Sequence, residues 1–126
     1  MAKQMIVLDP SKPPVGYAPA TKAGNLVFVS GQTGTGPNGL VQGGIREQVQ
    51  QTFKNVEAVL KAAGAKMSDV TKITCFLVRE GDYKVYAEER IKAFAADSLP
   101  ASSTIVVRAL AKPEFLVEIE AIAVIG

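Results

Sequence analysis

The sequence predicts an α+β fold, a mixed β-sheet packed against two helices. Three observations predict it. Five short runs are rich in β-branched and apolar residues, the composition of strands. Two longer segments repeat apolar residues at steps of three and four, the period of a helix with one buried face. In chain order the segments read β-β-α-β-α-β-β, and each strand–helix–strand passage implies a parallel pair joined by a right-handed crossover.

Residues 4–8 read as a short first strand, and Pro10, Pro13 and Pro14 break regular structure behind it. Lys22-Ala23-Gly24-Asn25 reads as a turn into a strong apolar strand over residues 26–30. A glycine-rich loop follows over residues 31–44, with Pro37-Asn38-Gly39 as the turn at its tip. Ile45, Val49, Phe53, Val56, Leu60 and Ala63 form one apolar stripe on a helix over residues 45–63, which Gly64 ends. Residues 70–78 make the next strand. Asp82 caps a second helix over residues 83–96, with Tyr83, Tyr86 or Ala87, Arg90 or Ile91, and Phe94 on its stripe. Pro100 stops that helix. Residues 104–110 and 115–125 are the last strands, expected to pair as an antiparallel hairpin across Lys112-Pro113-Glu114. Residues 1–126 read as one domain. The crossovers alone leave the two helices on the same or on opposite faces of the sheet.

Composition removes several function classes. Net charge is +2, with Lys and Arg scattered rather than clustered, so there is no basic stripe for nucleic acid. Tryptophan is absent and aromatics are few, which removes a base-stacking platform. The single cysteine, Cys75, has no internal partner, which fits a reducing compartment. The segment from Met1 to Asp9 lacks the apolar core of a signal peptide, and no run reaches membrane-spanning length. A cytoplasmic protein without a membrane partner is expected. Histidine is absent, which excludes histidine triads and histidine metal sites. With one cysteine as well, the ligand set of a zinc site is missing, so neither metal nor cofactor is expected. Chemistry must come from carboxylates, Tyr, Ser, Thr, Lys, Arg or backbone groups.

The last two strands argue for a partner. Val117, Ile119, Ala121 and Ala123, with Ile105 and Val107, fall on one side by alternation. Val106, Ile122 and Val124 share the other side with Thr104, Arg108, Glu118 and Glu120. A solvent-facing side would be polar throughout, and this one is mixed. Two amphipathic helices can cover one face; a symmetric oligomer is the simple cover for the other.

Among motifs, Gly34-Thr35-Gly36-Pro37-Asn38-Gly39 matches the dinucleotide fingerprint in letters only. That fingerprint needs its third glycine at the start of a helix, and here helical periodicity begins near Ile45. Glu118 and Glu120 share a face of the last strand. A carboxylate in a partly dry cleft can position a water or shuttle a proton, and equally can form a salt bridge with Arg108 on the expected neighbouring strand. The bridge is favoured for Glu120, and both readings stay open for Glu118. Ser30 and Gly31 close a buried strand, where hydroxyl and backbone N–H can hold a ligand oxygen or simply make a turn. Tyr17 is either a cleft wall with a polar tip or a packed surface aromatic. Cys75, mid-strand, reads as core rather than as a reactive thiol.

Gly24-Asn25-Leu26-Val27-Phe28-Val29-Ser30-Gly31-Gln32 and Leu116-Val117-Glu118-Ile119-Glu120-Ala121-Ile122-Ala123 together resemble the two signatures of the Rid (YjgF-like) family. Val56, Leu60, Ala63 and Gly64 through Val70-Thr71-Lys72 fit the middle of it. The resemblance spans essentially the whole chain. It implies a chorismate-mutase-like fold with both helices on one face of the sheet, a homotrimer with three inter-subunit clefts, and hydrolysis of reactive enamines or imines to a keto acid and ammonia. By position it implies a water-positioning role for Glu118, with Tyr17, Ser30 and Gly31 in the cleft, and no cofactor or metal. The chain departs from the pattern at two places. Ser102 follows Pro100-Ala101 where the family's deaminases carry an arginine that clamps the substrate carboxylate, and Ala87 stands where they often carry Asn. A serine cannot supply the fixed, bidentate positive fork of arginine. Arg108 is the candidate substitute, with a glutamate salt bridge as its alternative role. The expectation is a deaminase of altered specificity; the alternative is a non-catalytic trimer that binds a small metabolite. Ribonuclease activity, attached by name to parts of the family, is disfavoured by the missing histidine and basic patch.

Overall fold

In the computed structural model, which describes residues 2–126, the chain runs β1 (Gln4–Ile6), β2 (Ala20–Ala23), β3 (Leu26–Gln32), β4 (Thr35–Gly36), β5 (Gly39–Leu40), α1 (Ile45–Ala62), β6 (Val70–Leu77), α2 (Tyr83–Ala93), β7 (Ala101–Val106) and β8 (Val117–Val124). Met1, at the head of the segment read above, lies outside the described residues. Six strands form one sheet in the order β1-β2-β3-β8-β6-β7, and β4 and β5 form a separate two-stranded hairpin. The β6–β7 pair is parallel and every other pair in the six-stranded sheet is antiparallel. No helix is long and apolar enough to cross a membrane among the described residues.

The mixed α+β architecture is as expected, and strand order corrects two details. β8 is the centre of the sheet, between β3 and β6, so the 26–30 and 70–78 strands are separated by it rather than paired. It also does not form a hairpin with β7, which is an edge strand on the far side of β6. The reason lies in the side chains. Val117, Ile119, Ala121 and Ala123 are all buried, so β8 presents the most continuous apolar row and gains most from neighbours on both sides. β7 begins Ala101-Ser102-Ser103-Thr104, a polar run that an edge tolerates. It ends at Val106 rather than at residue 110, because the chain must then pass the end of β6 to reach the middle of the sheet.

Register also corrects the face of β7. Ile105 pairs with Phe76, which pairs with Glu118, so Ile105 shares the face of Glu118. Ser102, Thr104 and Val106 pair with Ile73, Cys75 and Leu77, on the helix side. Lys22 and Ala23, expected as the start of a turn, belong to β2. Its Ala-Thr-Lys-Ala sequence has little strand propensity and is extended by pairing with β3. α2 stops at Ala93, three residues early, where Ser98 N–H donates to the Ala95 carbonyl at 2.9 Å in a turn.

Both helices pack on one face. Val49, Phe53, Val56, Val59 and Leu60 of α1 lie in one buried cluster with Val27 and Val29 of β3 and the odd-numbered row of β8. Each fully buried Val or Leu there contributes about 1.5–3 kcal/mol. Tyr86 of α2 stacks on Phe53 at 6.4 Å, and Phe94 meets Phe53 edge-on at 5.7 Å. Gly64, at φ +80°, ends α1 as expected: Gly64 N–H donates to Lys61 and Ala65 N–H to Leu60. The opposite face stays open, with Phe28 at 43% exposure, Ile105 at 45% and Leu26 at 38%.

Candidate functional site

A bulge builds the site. Val29 pairs with Ala121 and Gln32 with Ile119, so β3 advances three residues while β8 advances two. The extra residue at Ser30–Gly31 breaks the ladder and turns that backbone toward β8, a common device beside functional sites. There the Glu118 carboxylate lies against Gly31. A Cβ on Gly31 would sit 2.5 Å from Glu118 Oε2 and 2.7 Å from its Cδ, so only glycine admits this placement of the acid.

Glu118 has neither an ion pair nor a side-chain hydrogen bond among the described residues, and it is half-buried. Burial raises its pKa above the ordinary carboxylate range, and Glu120 two residues along adds a smaller push in the same direction. It lines an open cleft of about 550 Å³ with Tyr17, Gly31, Thr33, Lys112 and Phe115. Tyr17 is 74% exposed, so its ring forms a wall of this cleft rather than packing into the core. A half-buried carboxylate, an aromatic wall and bulge backbone therefore converge.

Ser30 serves this arrangement indirectly. Its Oγ–H donates to the Ala18 carbonyl at 2.6 Å and its N–H to the Pro19 carbonyl at 3.0 Å, which ties the segment carrying Tyr17 to β3. Two residues of α1 hold the other walls. Asn55 Nδ2 donates to the Thr33 and Thr35 carbonyls at 2.9 and 2.8 Å. Buried Gln48 donates to the Glu114 carbonyl at 3.1 Å and accepts from Leu116 N–H at 2.9 Å, fixing the approach to β8. Sequence reading missed both. The available signal was a polar residue on or beside an apolar helical stripe.

The other candidates lie elsewhere. Ser102 lines a second cleft of about 440 Å³ between α2 and β7, with Tyr83 and Arg90. Ala87 is half-buried on α2, three residues before Arg90. Arg108 corrects an expectation: β6 separates β7 from β8, and Arg108 lies beyond the end of β7 and pairs with neither Glu118 nor Glu120 among the described residues. Glu120 accordingly has no salt bridge there and is exposed. Cys75 is fully buried and burial pushes its thiol up to about 12, so it stays protonated in the core. The Gly34–Gly39 motif is the β4–β5 hairpin, with Gly39 at φ +97° in its turn, and no helix begins there. Among the described residues no three His, Cys, Asp or Glu side chains converge as a metal cage.

Comparison with known proteins adds a family. Residues 9–125 match the model described as Endoribonuclease L-PSP. A Dermatophagoides farinae protein named 2-iminobutanoate/2-iminopropanoate deaminase is 41% identical over 129 residues, covering 99% of each chain. A RutC family protein of Pyrococcus abyssi is 37% identical, covering 98% of each. The crystal structure of a Yersinia pestis member of the conserved Rid protein family superposes with a TM-score of 0.89 at 31% identity, covering 98% of this chain and 100% of that one.

Proposed function

This chain belongs to the Endoribonuclease L-PSP family, to which the Rid proteins belong, and from that premise we propose that it hydrolyses a reactive enamine or imine to a carbonyl compound and ammonia. The observation that carries the reading is Glu118: a half-buried carboxylate with a raised pKa and no side-chain partner among the described residues, held against backbone in a cleft. Imine hydrolysis needs a group that takes a proton from water and delivers one to nitrogen near neutral pH, and a carboxylate raised by burial suits both steps.

In the proposed reaction the ionised Glu118 accepts a proton from water as its oxygen bonds to the imine carbon, and the C=N electron pair moves to nitrogen. The nitrogen gains protons, one of them returned by Glu118. The C–N bond then breaks, ammonia leaves, and loss of the hydroxyl proton restores the carbonyl. Tyr17 borders the substrate, and Ser30 and Gly31 shape the backbone beside it. The bare sheet face with Phe28, Leu26 and Ile105 supports assembly of three copies, and the clefts would then lie at subunit boundaries. In that assembly Ala87 and Ser102 would face a neighbour's Glu118, and Ser102 in place of a cation supports altered substrate specificity.

RNA is not the proposed substrate. The chain has no histidine, and Lys112 is the one cation among the residues lining the Glu118 cleft. Ser102 and Ala87 favour one second reading, a trimer that binds a small metabolite without turnover.

The test generates a panel of imines in situ with an amino-acid oxidase and follows ammonia release against the spontaneous rate, with light scattering for assembly. The proposal expects accelerated release from at least one imine by a trimer. Saturable binding without acceleration would favour the second reading, and a monomer at micromolar concentration would remove the assembly.

A further inference from the structure

Among the described residues, Lys112 is the one cation lining the cleft that holds Glu118. Lys112 is exposed while Glu118 and Gly31 are half-buried, so the lysine stands at the rim and the acid lies deeper. The rim is built rather than loose. Phe115 N–H donates to the Lys112 carbonyl at 3.1 Å, a turn that brings the two side chains together. Lys112 Nζ lies 5.8 Å from the centre of the Phe115 ring, within reach of a cation–π contact. Gln48 fixes this turn to α1 through the Glu114 carbonyl and Leu116 N–H.

The ammonium has no acid. Lys112 takes part in none of the salt bridges among the described residues. Glu114, close by in sequence, is not among the residues lining the cleft, and Glu118 is the one acid that is. Burial and Glu120 raise the pKa of Glu118 with no opposing pull from Lys112, so ammonium and carboxylate occupy separate places in the cleft. Thr33 and Thr35 line the same cleft, and their hydroxyls bond to each other at 2.9 Å. One of them donates in that bond, which leaves the proton of the other for a further acceptor. An ammonium without an acid and a spare hydroxyl donor are complementary to an anion. Leu8, Ala58 and Phe115 add apolar wall for a carbon chain.

We propose that Lys112 is a specificity-determining residue, selecting imines and enamines that carry a carboxylate on the carbon chain away from the C=N bond. This extension rests on the function proposed above and names a substrate class for it. A substrate with its C=N carbon at Glu118 runs its chain along Phe115 and sets its far carboxylate at Lys112. Because that pairing is exposed, it changes affinity by about two- to fivefold and is screened by salt. It therefore acts on the choice between substrates rather than on the bond that breaks.

The test uses the full-length protein and pairs of compounds matched in chain length that differ in the far group. Ammonia release is followed from the imines of glutamate and norvaline, generated in situ by amino-acid oxidases. Binding of 2-oxoglutarate and 2-oxopentanoate is followed by amide chemical shifts. The glutamate imine should be preferred in kcat/KM, and Lys112→Met should lower that preference about two- to fivefold, through KM rather than kcat. Lys112→Arg should retain the preference, Lys112→Glu should lower it further, and added salt should weaken it. 2-Oxoglutarate should bind more tightly than 2-oxopentanoate, with the difference reduced in Lys112→Met. Lys112 is exposed, so these substitutions spare the core. Equal handling of the two imines by wild type, or a preference that survives unchanged in Lys112→Met, overturns the inference and leaves the deaminase reading standing. Lys112-dependent binding of 2-oxoglutarate without ammonia release from any imine would refute the deaminase reading and leave the role of Lys112 standing. If neither binding nor turnover depends on Lys112, the inference is wrong.

Discussion

Gly31→Ala tests how tightly the site positions its acid. The new Cβ would lie 2.5 Å from Glu118 Oε2, whereas ordinary contact distances for carbon are about 3.5 Å. The carboxylate must therefore retreat by about 1 Å. A misplacement of that size costs on the order of 10²-fold in rate, about 2.7 kcal/mol of barrier. Stability should change little. The atoms in the way are the end of a flexible side chain, and Gly31 is not among the glycines at positive φ, so alanine meets no backbone strain. Lost chain entropy in the unfolded state offsets part of any strain, by about 0.4–1 kcal/mol. The assay is steady-state ammonia release beside a urea melt. A wild-type kcat in Gly31→Ala would refute the claim that the bulge positions Glu118. A collapse in stability with it would show that the glycine is needed for folding instead.

Three further outcomes follow from the same geometry. The acid limb of kcat/KM against pH should lie above the ordinary carboxylate range, because Glu118 must be ionised to accept a proton and its folded-state pKa is raised; Glu120→Gln removes a like charge and should move that limb slightly to lower pH, and a wild-type profile with no acid limb would show that Glu118 does not titrate in the reaction. The same shift means the folded state holds this proton more tightly than the unfolded chain, so its stabilising contribution is present below the ordinary carboxylate range and lost as pH rises through the raised pKa. Gln48→Leu leaves the Glu114 carbonyl and Leu116 N–H without partners and should cost about 3 kcal/mol in urea denaturation together with activity, while a neutral result would show that water replaces the amide. Tyr86→Phe removes a buried hydroxyl that has no hydrogen-bond partner among the described residues and should raise stability by about 1 kcal/mol; a loss would show the hydroxyl is satisfied in solution.

Local periodicity made most of the fold legible. The α1 stripe, its Gly64 stop and the alternation of β8 are patterns within one element, and each appears as read. What failed depended on which strands become neighbours. Nothing local tells residues 117–124 to pair with β3 and β6, because that choice comes from the summed burial of three strands. Arg108 was misjudged for this reason: a contact assumed from hairpin adjacency vanished once β6 lay between. The site was half legible. Glu118, Tyr17 and Gly31 could be named from the sequence, but the bulge that joins Gly31 to Glu118 is a one-residue slip in register that leaves no periodic trace. The α2 periodicity leaves Arg90 and Ile91 as alternatives on its stripe. The structure sets Arg90 against the Tyr83 and Tyr86 rings, with no acid paired to it among the described residues.

The most direct measurement compares ammonia release by wild type and Glu118→Gln at matched folding, checked by circular dichroism, on whichever imine the wild type accelerates. Loss of a proton-transferring carboxylate predicts a fall in kcat of about 10²–10⁴-fold with little change in stability. Turnover by Glu118→Gln at the wild-type rate would contradict the account, since the cleft would then do its chemistry without the one acid it holds.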